Sequence, residues 1–196
     1  GNGGAAIQTG QPNAKPIEFR RQDFRFHPET LALEIVPGRS QFGNTFNDWG
    51  QRFLCSQANA VFDIAWNDSA PPDAILSPPD PTHNPLIGPT PIFRISPIER
   101  WRAIRSQRRI VSGERKATST GASHHVLDGV AGSTVYRGDA FPSEFQGNLF
   151  VGGAQNNLIH RRSLEPNGVT FKSQRLDENE EFARSPDNWF RPVNFV

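Results

Sequence analysis

The chain lacks methionine altogether and has one cysteine and one tyrosine among its 196 residues. A lone Cys55 cannot close an internal disulfide. No CxxC or CxxCH occurs either, so thiolate zinc and covalent c-type haem are excluded within this segment. Surplus charge is missing as well: 21 Lys and Arg against 20 Asp and Glu leave a formal +1. No global field therefore directs the chain to nucleic acid or to an anionic membrane. No run approaches the roughly 20 apolar residues that a membrane-spanning helix needs. P-loop and zincin motifs are absent, as is any nucleophile-plus-base spacing. The missing Met, with a Gly1-Asn2-Gly3-Gly4 start that has neither a charged nor an apolar leader region, reads as an internal piece of a longer protein. Any export signal is then expected upstream.

What the chain does have is 17 Gly, 17 Pro and 15 Phe in a length that suffices for one domain with a core. Such a composition favours turns over long helices. The stretch 131–164 organises the rest. Short β-prone runs at Ser133–Tyr136, Asn148–Val151 and Asn157–Arg161 are separated by Gly-, Asn-, Asp- and Pro-containing turns, the pattern of an antiparallel meander. An earlier copy exists. Laid without gaps, residues 50–62 match residues 147–159, with Gly50 on Gly147, Phe53 on Phe150 and Asn59 on Asn156. A repeated strand-turn-strand unit marks a blade or a solenoid.

Taken in order, residues 1–16 read as loop, Ile17–Phe26 as a strand, and Leu31–Val36 as its hairpin partner after a His27–Thr30 turn. Strands follow at Asn44–Asn47, Arg52–Ser56 and Ala60–Trp66. Residues 67–91 are so dense in Pro that they read as a surface insertion. Phe93–Ile95 reads as a strand. Pro97–Ile110 carries Ile98, Trp101 and Ile104 at helical spacing, and its five Arg between Arg100 and Arg109 read as a solvated or salt-bridged face. Gly168–Leu176 is expected to supply a fourth strand, Asp177–Glu181 a solvated acidic turn, and the tail from Ser185 the start of a further strand. The fold class is therefore all-β: residues 1–196 as one incomplete β-propeller of four-stranded antiparallel blades, about two full blades plus parts of two others. A sandwich is the alternative, against which the in-register repeat argues.

The motifs Gln22–Pro28, Gly38–Gly43, Phe46–Gly50, Phe93–Ile98, Tyr136–Pro142 followed by Gly147–Val151, and Ser185–Pro192 together resemble the glucose/sorbosone dehydrogenase type of β-propeller. In particular they resemble the membrane-bound dehydrogenases abundant in planctomycetes and verrucomicrobia. The resemblance covers nearly the whole chain. It implies a sugar or alcohol dehydrogenase, a cell-envelope or periplasmic location, and a c-type haem domain elsewhere in the full protein as electron partner. The implied cofactors are pyrroloquinoline quinone and calcium. By the same resemblance the cofactor-facing positions are Arg39, Ser40, Gln41, Gln155, Asn156 and Arg191, and the catalytic base is expected upstream of residue 1. Ser40 stands where the family has an asparagine, Trp189 where it has a second arginine, and no lysine lies near Gln155 or Asn156. These departures favour a second reading, a propeller that binds a glycan or protein partner without redox chemistry. A calcium-dependent lactonase-type hydrolase is a third.

The residues themselves leave these readings open. An Arg39–Arg191 pair suits a carboxylate or phosphate, or an inter-blade salt bridge. Gln41, Asn44, Asn59 and Asn156 suit sugar hydroxyls or turn caps. His124 and His125 are neighbours whose side chains point to opposite faces of a strand, so they do not readily share one metal, but either is a candidate base or ligand. His27, His83 and His160 read as turn, loop and outer-strand residues. Asp139 suits calcium or an Asx-turn.

Overall fold

The computed structural model describes residues 4–6, 15–19, 22–57, 60–65, 84–87, 90–113 and 126–195. Among the described residues, fourteen short strands, one α-helix and a 3-10 turn at Ser143–Phe145 make an all-β chain of small antiparallel sheets. Two hairpins come first: β1 (Gly4–Ala6) with β2 (Ile17–Phe19), and β3 (Asp23–Phe26) with β4 (Leu33–Val36). Next comes a four-stranded sheet in sequence order, β5 (Gly43–Phe46), β6 (Arg52–Cys55), β7 (Phe62–Ile64) and β8 (Asn84–Pro85). The only described α-helix, α1 (Arg100–Val111), follows. The second four-stranded sheet comprises β9 (Val130–Val135), β10 (Leu149–Gly153), β11 (Leu158–Arg162) and β14 (Ala183–Arg184). The hairpin β12 (Glu165–Asn167) and β13 (Thr170–Lys172) is inserted before its last strand.

Alternation of side chains along each strand decides what lies between the layers. Phe53, Cys55 and Val61 of the first sheet meet Val130, Val135, Leu149 and Val151 of the second in one buried cluster. Leu54, Phe62 and Ile64 point the other way. On that side the β3–β4 layer arrives: buried Asp23 accepts from Arg52 Nη2 at 2.5 Å, and Gly38 lies against Leu54.

The sequence repeat is a repeat of placement. Gly50 and Gly147 both have φ near +75° (75° and 73°), where a side chain would be strained. Phe53 faces the second sheet, and its counterpart Phe150 turns away from the first sheet towards Tyr136, Phe141 and Phe182. Leu54 and Val151 both face the preceding layer.

Glycine sets the layer spacing. A Cβ on Gly43 would sit 2.6 Å from Cys55 Sγ and 2.9 Å from Ser133 Oγ on the next layer. The equivalent Gly132 would meet Val193 O at 2.6 Å, and Gly152 would meet Pro192 O at 2.7 Å. The tail 190–195 therefore stands to the second sheet as β9 stands to the first.

Several expectations need correcting. Residues 4–6 are a strand, not loop, and Ile17–Phe26 divides into β2 and β3. Phe93–Ile95 is irregular, because Pro91 pairs with Val126 instead. Gly168 turns a separate hairpin, and the fourth strand of the second sheet is Ala183–Arg184. The tail beyond Ser185 has no strand partner among the described residues. The predicted helix and the β3–β4 hairpin agree with the structure. Most of the 67–91 insertion lies outside the described residues, but its Asn84–Pro85 closes the first sheet.

Gly152→Val is expected to destabilise the chain by about 1–3 kcal/mol through the steric conflict with the tail. Urea unfolding measures the loss, and hydrogen exchange should quicken at residues 190–195 first.

Candidate functional site

Antiparallel order puts the starts of β5 and β9, the β10–β11 turn and the exit of β14 at one end of the stacked sheets. Arg39, Ser40, Gln41, Gln155, Asn156 and Arg191 all fall at that end. Their side chains, however, serve the fold. Ser40 donates its N–H and Oγ to Asp23, completing the Asp23–Arg52 network. Gln41 accepts the Gln57 N–H at 3.0 Å, and Asn44 accepts from Arg52 Nε at 2.9 Å. Gln155 packs on Gly129. Asn156 is fully buried and accepts the Asp128 N–H, while its Nδ2 has no partner among the described residues. Arg39 alone is exposed without such a role among the described residues. Asn59, His83, His124 and His125 lie outside the described residues. His27 occupies a turn, as expected, and accepts the Thr30 N–H.

Arg191 leads to a group that the sequence did not single out. Its Nη2 lies 3.3 Å from Glu99 Oε1, and its guanidinium stands 5.5 Å from the Trp189 ring centroid. Glu99 also accepts from Trp101 Nε1 at 3.1 Å and pairs with Arg102, which stacks on Trp101. These bonds, Arg102 first, hold the Glu99 carboxyl below its ordinary range, so it stays ionised. The Trp189 side is braced. Its N–H donates to Asp187 Oδ1 in an Asx-turn, and Asn157 Nδ2 holds the Asn188 and Phe190 carbonyls. Asn157 in turn accepts from Ser96 Oγ, tying this loop to the segment that opens the helix. On this fixed frame Trp189 is 83% exposed and Trp101 49%. Exposed indoles beside an ionised carboxylate and a guanidinium suit a ligand with one apolar face and a polar edge. The sequence signal was there: Asp187 two residues before Trp189 is an Asx-turn spacing.

A second cluster lies between β11 and the 175–181 segment that precedes β14. His160, read as an outer-strand residue, is fully buried on β11, on the face that carries Val151. Its Nδ1–H donates to Glu181 Oε2 at 2.7 Å, and Nε2 faces Arg162 Nη1 at 3.4 Å. Burial pushes the His160 imidazole below its ordinary value despite Glu181, so the ring is neutral. Burial alone would raise Glu181, but His160, the Phe93 N–H and Arg175 keep it below the usual carboxylate range. The acidic turn is therefore not merely solvated: Glu181 is buried, and Asp177 binds Arg161 at 2.7 Å. With both ring nitrogens engaged, His160 is a structural tether and not a free base. Among the described residues no group of three or more His, Cys, Asp or Glu is placed to hold a metal ion. No described helix is long and apolar enough to cross a membrane.

The family model described as Domain of unknown function (DUF7133) matches residues 1–196. The chain belongs to that family. No curated protein matches it. No solved structure does either.

The depressed His160 value carries a sign. The unfolded chain takes up a proton as pH falls through about 6.5 while the folded ring stays neutral, so stability is present above that pH and lost below it. Thermal melts between pH 7 and pH 5 should show falling Tm. His160→Asn should melt lower at pH 7, by roughly 1–3 kcal/mol for the broken buried bond, with a shallower slope across that window.

Proposed function

We propose that the chain forms consecutive blades of a β-propeller related to the glucose/sorbosone dehydrogenases, and that the end carrying Arg191 binds a saccharide. The repeated placement of Phe53 and Phe150, Leu54 and Val151, and Gly43 and Gly132 supports the blade reading. The binding reading is carried by one observation: the Glu99–Arg191 ion pair, each half of which is joined to an exposed indole. A sugar ring stacks its C–H face on indole and presents hydroxyls at its edge, which a carboxylate accepts from and a guanidinium donates to. In this reading the module recognises its ligand without chemistry of its own, in the cell envelope that the family resemblance implies.

Trp189→Ala should weaken binding of a responsive oligosaccharide about tenfold, a loss near 1.4 kcal/mol, while leaving Tm unchanged because the ring is exposed. Calorimetric titration over a panel of neutral and acidic oligosaccharides checks it. Absence of saturable binding across the panel removes the proposal.

A second reading, a quinone-dependent sugar dehydrogenase passing electrons to a c-type haem domain, draws on the gathering of Arg39, Gln41, Gln155, Asn156 and Arg191 at one end of the sheets. The fit to pyrroloquinoline quinone is poor. Ser40 is spent on Asp23, Arg191 is neutralised by Glu99, and Asn156 presents only its buried Nδ2. An anionic quinone requires free cationic donors. Quinone absorbance with sugar-dependent dye reduction in the complete protein would restore this reading, and we expect neither.

A further inference from the structure

Where the 90–93 segment faces the end of β11 and the 175–179 turn, a cleft of about 440 Å³ opens, lined in part by Pro91, Phe93, Arg162, Arg175 and Asn179. We propose that this cleft binds a small organic anion, a carboxylate or phosphate attached to an apolar or aromatic body. It is separate from the indole site and does not depend on it.

The charge balance of the walls carries the argument. Arg162 is only 9% exposed, yet among the described residues it has no carboxylate partner. Its Nε donates to Ser173 Oγ at 2.8 Å and its Nη2 to Ser173 O at 2.7 Å. Its Nη1 meets only the neutral His160 ring, at 3.4 Å, a long and weak bond. A buried guanidinium bonded solely to neutral groups has lost its hydration without gaining a counter-ion. Arg175 stands close enough to push against it electrostatically.

Arg175 itself is fixed. It donates to the carbonyls of Pro91, Asp177 and Glu180 and to Glu181, and lies 4.9 Å from the Phe93 ring centroid. Among the described residues near these two guanidinium groups, the one buried carboxylate is Glu181, and it is bonded to Arg175 and His160, not to Arg162. Asp177 is committed to Arg161 on the opposite face. Glu178, on the rim, is exposed and bonds to neither guanidinium. It offsets the excess only through solvent.

An incoming oxyanion supplies the missing counter-charge. The planar donors of Arg162 suit either carboxylate or phosphate oxygens. Phe93 and Pro91 form an apolar wall, which favours an anion with an organic body over a bare inorganic ion. Glu178 competes by repulsion at the mouth, so its removal should strengthen binding.

Backbone amide NMR titrations of the whole chain with benzoate, acetate and inorganic phosphate, at constant ionic strength set by chloride, provide the test. Saturable shifts at Phe93, Arg175 and Asn179 are expected, with benzoate binding at least threefold more tightly than acetate. A benzoate preference over phosphate assigns the carboxylate class and the reverse assigns phosphate; both support the site. Glu178→Gln, an exposed change that should leave Tm unaltered, is expected to tighten binding at least threefold. Arg162→Gln should abolish the shifts. Should that variant fail to fold, Glu178→Arg replaces it, with the same tightening expected. Absence of saturable shifts, or affinity indifferent to every Glu178 substitution, overturns the proposal.

Discussion

Everything in this chain depends on how closely one backbone layer can lie on the next. Gly43, Gly132 and Gly152 leave no room for a Cβ against the layer that follows. At such distances the apolar side chains of facing sheets interlock, and Phe53, Val61, Leu149 and Val151 form one core shared by both sheets. No sheet here would bury enough surface alone. β6 and β10 are buried on both faces because each has a layer on either side. The stack is the unit that folds.

Ion pairs and amides then fix how the layers meet at their edges. The Asp23–Arg52 pair, satisfied further by Ser40, Asn44 and the Pro37 carbonyl, joins the β3–β4 layer to the first sheet. Across the next junction, Val135 N–H donates to Thr45 Oγ1, and Thr170 on the inserted hairpin donates to the buried Asp63. Burial raises the Asp63 carboxyl above its ordinary range. The hairpin also sets Phe171 edge-on to Phe53 at 5.1 Å. The hairpin is thereby fixed against β6 and β7 of the first sheet.

Short-range signals in the sequence were sound where local chemistry decides. The 50–62/147–159 match, the helical spacing of Ile98, Trp101 and Ile104, and the turn glycines all correspond to real elements. Strands fixed by distant partners were misplaced. Ala183–Arg184 pairs with β11 although Gly168–Leu176 has better alternation, because Gly168 at φ 66° folds that run back on itself. For site residues the limit was different. Chain position put Arg39, Ser40, Gln41, Gln155, Asn156 and Arg191 together at one end of the sheets, but position does not reveal hydrogen-bond partners. Ser40 turned inward to Asp23, and Arg191 turned to Glu99, 92 residues away in sequence. His160 was legible only as one residue of an alternating strand, since its meaning rests on Glu181 across a hairpin.

The equivalence of the tail to β9 has an energetic consequence. Where every layer touches only the ones before and after it, cooperativity passes from neighbour to neighbour, as along a chain of coupled springs. Damage at the Gly132–Val193 contact then weakens one junction and leaves the Asp23–Arg52 junction, two layers away, nearly intact. A change in the loop of a single layer, such as the one that carries Trp189, therefore need not disturb the rest of the scaffold.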